Sequence, residues 1–156
     1  MRVWYFHGLE SKQGGPKVDF LETLAEEVYA PEMTYLDSSL FEQLLEKAKS
    51  APPDLIIGSS MGGYFADVLG SRTGSTVLLF NPALHSRSIE INLSYGDIPY
   101  NRHFVVGAKD DVIDPKRTRT LAEKNENFKV IPDMGHRTPL EVFTQTCLPF
   151  FTDSDS

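Results

Sequence analysis

Apolar residues fall along this chain in two styles, short continuous runs and stripes at helical spacing. The runs are Val3-Trp4-Tyr5-Phe6, Leu55-Ile56-Ile57, Thr76-Val77-Leu78-Leu79-Phe80, Phe104-Val105-Val106 and Phe128-Lys129-Val130-Ile131. They are rich in β-branched and aromatic residues and several stop at Gly8, Gly58, Asn81-Pro82 or Gly107, so they predict buried strands. Val28-Tyr29-Ala30, before Pro31, predicts a shorter one. Between the runs the spacing changes. Pro16 suits a first helical turn, with Phe20, Leu21, Leu24 and Val28 on one face behind it. Ser39-Leu40-Phe41-Glu42 predicts a capping box, followed by the stripe Leu40, Phe41, Leu44, Leu45 and Ala48. Tyr64 to Leu69 predicts a helix stopping near Gly70 and Gly74. Asp114-Pro115 reads as an N-cap and first position of a helix reaching about Asn125. Thr138-Pro139-Leu140-Glu141 predicts a further capping pattern, with Val142, Phe143, Thr146, Cys147 and Phe150 facing inward. Strands alternating with helices predict an α/β sandwich around a parallel sheet. Only 83–101 resists a reading: Ile89, Ile91, Leu93 and Tyr95 alternate as an extended segment would, yet Ser86-Arg87-Ser88 could start a short helix.

Length and composition narrow the classes. The 156 residues suit one domain, taken as 1–151, with 152–156 a frayed polar tail. The net charge of −7 argues against a nucleic-acid partner and against an anionic membrane surface. Cys147 is the single cysteine, so no internal disulfide can form, and its place on an inner helix face predicts a core thiol. The run after Met1 is too short for a signal-peptide core and no stretch is long enough to cross a membrane, so a cytoplasmic location is expected. Oligomeric state leaves no mark on the sequence.

The chemistry gathers at strand ends. Gly58-Ser59-Ser60-Met61-Gly62 is a Gly-x-Ser-x-Gly turn between a predicted strand and a predicted helix, the setting in which a nucleophile elbow exposes its central serine. About one chain in twenty of this length would match three such positions by chance, so the setting matters more than the motif. His7-Gly8 follows the first strand, Asp110-Asp111 the fifth and Gly135-His136 the sixth. Ligands bind at the C-terminal ends of parallel strands, and the order Ser, acid, His is that of the α/β-hydrolases. Ser60 is thereby the candidate nucleophile and His136 the base, with Asp110 the candidate acid and Asp111 its alternative, because Asp114 suits an N-cap. Backbone N–H groups of Met61 and of Leu9, or alternatively Gly8, are the candidate oxyanion donors. His7 is expected to shape that loop, and His85 and His103 to sit at the surface or a strand end. No metal-spaced His/Cys cluster occurs, and neither metal nor organic cofactor is needed.

Over nearly its whole length the chain resembles the small α/β-hydrolases of the YqiA/UPF0227 esterase type. The likeness rests on His7-Gly8-Leu9-Glu10-Ser11, Gly58-Ser59-Ser60-Met61-Gly62-Gly63, Asn81-Pro82-Ala83, Asp110-Asp111-Val112-Ile113-Asp114 and Gly135-His136. It implies a minimal α/β-hydrolase fold: a three-layer sandwich whose six-stranded parallel sheet runs 2-1-3-4-5-6, without the two leading antiparallel strands or a large lid. Asp110 matches the family's acid position. The implied activity is hydrolysis of small carboxylic esters through an acyl-enzyme. A thioesterase, an amidase, a C–C bond hydrolase or a non-catalytic binding module would look the same at this level. From its place after the strand that follows the nucleophile helix, 83–101 is expected to roof the acyl pocket.

Overall fold

The computed structural model describes residues 1–124 and 126–152. Strands β1 (Arg2–Phe6), β2 (Glu27–Tyr29), β3 (Leu55–Ser59), β4 (Thr76–Phe80), β5 (Arg102–Gly107) and β6 (Asn127–Ile131) form one sheet in the order β2-β1-β3-β4-β5-β6, every pairing parallel. Alternate residues of each strand serve opposite faces. Trp4, Phe6, Ile56, Val77, Leu79 and Phe104 pack under helices α2 (Leu40–Ser50) and α3 (Met61–Thr73). Val3, Tyr5, Leu55, Ile57, Leu78, Phe80 and Val105 pack under α1 (Pro16–Leu24) and α5 (Leu140–Cys147). Helix, sheet and helix make three layers, and the continuous apolar runs of the central strands follow from burial on both faces.

Helix boundaries move where local chemistry competes. Helix α1 ends at Leu24, so Val28 joins β2 instead, and the inner face is Val18 and Leu21. The first capping box does not form. Ser39 has nearly helical backbone (φ −93°, ψ 0°), and its N–H and Oγ both donate to Asp37 Oδ1, at 2.9 and 2.7 Å. The second fails because α5 starts one residue later, behind Pro139, which leaves Thr138 buried and unused as a cap. A short helix α6 (Pro149–Thr152) follows α5, since Pro149 has no N–H to continue the ladder, and Phe150 belongs to it. Helix α4 (Pro115–Leu121) stops well short of Asn125, which lies outside the described residues, as do residues 153–156 of the expected tail; Thr152 is helical.

Segment 83–101 forms neither helix nor strand. It runs as a strap along α3. Tyr95 and Tyr100 hydroxyls donate to the buried Asp67 carboxylate at 2.7 and 2.8 Å, and Gly96 N–H donates to Ser71 Oγ at 2.8 Å. Arg102 Nε and Nη2 grip the same carboxylate, both at 3.0 Å. Ile89, Ile91 and Leu93 pack against the core beneath. From Ile89 onward the segment is thus pinned by its aromatic and apolar positions to the outside of α3, and only its first residues stay near the strand ends.

Candidate active site

Strand β3 passes into α3 at Ser60 with no loop between them, and the backbone there is strained. Ser60 has φ 54° and ψ −118°. A side chain in that region costs on the order of 1–3 kcal/mol and persists only where its surroundings insist on it. Here they do. Ser60 N–H donates to Phe80 O at 3.0 Å, and Ser60 O accepts the N–H groups of Gly63 and Ala83 at 3.0 and 2.9 Å. The turn also presses α3 against the sheet: a Cβ on Gly58 would overlap the Gly62 carbonyl, and one on Gly62 the Phe6 carbonyl.

His136, in the loop after β6, brings Nε2 to 3.0 Å from Ser60 Oγ. Its Nδ1 lies 3.0 and 3.1 Å from the two carboxylate oxygens of Asp110, just beyond β5. An ionised carboxylate only accepts, so Nδ1 carries the proton and Nε2 is left to accept from the serine hydroxyl. The Asp110 carboxylate is fully buried and is fixed by Val112 and Ile113 N–H groups, both 2.9 Å from Oδ1. Asp111 is exposed. Asp114 caps α4, its Oδ1 accepting Lys116 N–H at 2.9 Å.

Asn81 ties the two loops together. At φ 43° it donates from Nδ2 to the carbonyls of Gly135 and His136, at 3.1 and 2.8 Å, and accepts Gly107 N–H on Oδ1 at 2.8 Å. An asparagine closing a strand tolerates this left-handed backbone, and that place, with the Asn81-Pro82-Ala83 likeness, was its signal in the sequence.

On the other side of Ser60 lies the loop after β1. Gly8 stands against the serine, and a Cβ there would be 3.4 Å from Ser60 Cβ. Leu9 follows, half-exposed on the cleft wall. Met61 opens α3, where the first N–H groups have no intrahelical acceptor. His7 is buried with both nitrogens engaged: Nδ1–H donates to Gly8 O at 2.8 Å and Nε2 accepts Met33 N–H at 3.0 Å, so it shapes the loop. His103 is half-buried in β5, and His85 Nε2 lies 3.3 Å from Asp114 O.

These elements enclose a cleft of about 270 Å³ lined by Tyr5, Gly8 to Ser11, Lys17, Ser59, Ser60 and His136 to Thr138. No residue of 83–101 lines it, so the expected roof is absent. Three larger hollows, of about 770, 700 and 450 Å³, hold none of Ser60, Asp110 and His136, and the last shares Leu9 with the cleft. Burial raises the Tyr5 hydroxyl pKa and pushes the Cys147 thiol up to about 12, which makes Cys147 an inert core group. Lys17 and Arg137 are cleft residues that the sequence reading passed over. Lys17 shares a helical face with Leu21 and Leu24, and Arg137 directly follows His136; those positions were the available signals. Among the described residues no cluster of three His, Cys, Asp or Glu could hold a metal, and no helix is long and apolar enough to cross a membrane.

The model of a family described as uncharacterised, UPF0227, matches residues 2–133. No protein of curated function matches the sequence. Among solved structures, a Xanthomonas campestris pv. campestris protein described as a hydrolase of the alpha/beta superfamily superposes with TM-score 0.71 at 22% identity, covering 95% of this chain and 97% of that one. An alpha/beta hydrolase enzyme from a lagoon-sediment metagenome gives 0.74 at 14% identity over 99% and 92% of the two chains. A thermophilic esterase from Thermogutta terrifontis gives 0.67 at 15% identity over 96% and 89%. At such identities the likeness establishes the α/β-hydrolase fold.

Proposed function

The chain belongs to the UPF0227 family, and from its cleft we propose that it is a serine hydrolase cleaving small carboxylic esters through an acyl-enzyme. The observation that carries this reading is the unbroken line from Ser60 Oγ through His136 to the buried Asp110 carboxylate, with links of 3.0 Å on either side of the imidazole. Ser60 Oγ attacks the acyl carbon as His136 Nε2 takes its proton. The same nitrogen returns the proton to the leaving alcohol and then activates water for deacylation. Asp110 holds the imidazole tautomer and stabilises its cation. The N–H groups of Met61 and Leu9 bind the oxyanion, in a site where a helix start already favours negative charge.

A fluorophosphonate probe tests the reading. Wild-type protein and Ser59→Ala should be labelled covalently and Ser60→Ala should not. Labelling that survives in Ser60→Ala removes Ser60 as nucleophile, and no labelling of the wild type removes the serine-hydrolase reading.

A further inference from the structure

The geometry points to a cleft that selects esters carrying an anionic group, held by Lys17 and Arg137. This rests on the hydrolase reading and names a substrate class for the same site.

Lys17 stands in the first turn of α1 with its ammonium 5.5 Å from the centre of the Phe143 ring. Its stem is therefore turned inward, and the residue is half-buried. Arg137, an exposed residue, follows His136 in the loop after β6, and both cations line the cleft that holds Ser60. Among the described residues neither side chain forms an ion pair. Among the described residues Glu10 is the one carboxylate lining the cleft; it is exposed and pairs with neither. Burial lowers the Lys17 pKa and the nearby Arg137 charge lowers it further. Cys147 could oppose this only as a thiolate, and its own burial pushes it to about 12.

A half-buried ammonium with a second cation nearby and no ion-pair partner among the described residues is unfavourable in the free protein, whereas the exposed Arg137 guanidinium stays solvated. The chain as a whole carries excess negative charge, −7, yet among the described residues no carboxylate pairs with either cation. Both residues line the cleft in which an ester bound to Ser60 would lie. A guanidinium fork and an ammonium together suit a carboxylate or similar oxyanion, and in a partly desolvated cleft such charge-assisted bonds are stronger than neutral ones. The anion can sit on the acyl or on the alcohol portion of the ester.

Two substrate pairs distinguish these sources. Monoethyl glutarate against ethyl pentanoate places the carboxylate on the acyl side. For the alcohol side, 3-acetoxybenzoate is compared with its methyl ester. In wild-type enzyme at low salt, kcat/KM should favour the anionic member of at least one pair by about tenfold or more, the effect of one charge-assisted bond. That ratio should fall toward one in Lys17→Met and in Arg137→Gln, be kept in Lys17→Arg, and shrink as salt is raised. Should a variant fail to fold, the wild-type ratio and its salt dependence decide. A ratio near one, a ratio untouched by the substitutions, or no turnover of the anionic esters overturns the inference and leaves the hydrolase reading standing. Only the additional loss of fluorophosphonate labelling overturns that reading too.

Discussion

Asp110, Asp111 and Asp114 share one loop yet meet different surroundings, and single substitutions should separate them. Asp110 is buried against His136 Nδ1 and two backbone N–H groups. If it holds the imidazole tautomer, Asp110→Asn should lower kcat by about 10⁴ while the fold survives. Asp111→Asn, at an exposed position, should leave both kcat and melting temperature near wild type. Asp114→Ala removes the α4 cap and should cost about 1 kcal/mol of stability with little change in kcat. Steady-state kinetics and thermal melts on the three variants check this. A deep kcat loss in Asp111→Asn, with Asp110→Asn active, reverses the assignment. That Ser60, His136 and Asp110 would meet was legible because strand ends and turn residues are local signals. Asn81's reach to Gly107, Gly135 and His136 was not, because it depends on where three separate strands finish.

Elements read well where periodicity was strong and poorly where a cap or strap had to be inferred. The stripe Leu40, Phe41, Leu44, Leu45 and Ala48 is buried throughout, whereas neither capping box formed, because Ser39 bonds back to Asp37 and α5 starts one residue late, behind Pro139. The strap 83–101 was illegible because its anchor is a charge on another element. Asp67 is fully buried in α3 and binds Arg102, Tyr95 and Tyr100. Asp67→Ala leaves the largely buried Arg102 with Glu126 alone, so it should destabilise by about 3–5 kcal/mol in denaturant unfolding. A loss below 1 kcal/mol would show that the strap holds by its apolar contacts. Strand β5 carries a pH effect as well. His103 lies edge-on to Phe150, 4.9 Å between ring centres, and burial lowers its pKa below the ordinary 6.5. The unfolded chain then takes up this proton first as pH falls. Its contribution is complete above about pH 6.5 and is lost below it, down to the depressed folded value. His103→Gln should narrow the difference in melting temperature between pH 7.5 and 5.5, and an unchanged difference would exclude His103 as a source.

At the scale of the whole molecule, the parallel sheet delivers the ends of β1, β3, β5 and β6 to one edge, where Gly8, Ser60, Asp110 and His136 converge. That convergence followed from alternating strands and helices. The shape of the cleft did not, because it depends on the strap lying along α3 instead of over the strand ends. The consequence is a test of acyl length. The cleft is about 270 Å³, below the range of about 300–1,000 Å³ usual for pockets that enclose drug-sized ligands. Each methylene an ester buries can strengthen binding by up to about 0.8 kcal/mol, roughly fourfold. Methylenes extending beyond the cleft remain in water and add nothing, while their ordering opposes binding. Without a roof to receive them, the gain must stop once the small volume is filled. Across nitrophenyl esters from acetate to dodecanoate, kcat/KM should therefore peak at short chains and fall toward the long ones. A steady rise through dodecanoate would mean that an apolar surface outside the cleft takes up the chain, the nearest being the hollow beside Leu9 lined by Met33, Tyr35 and Leu36.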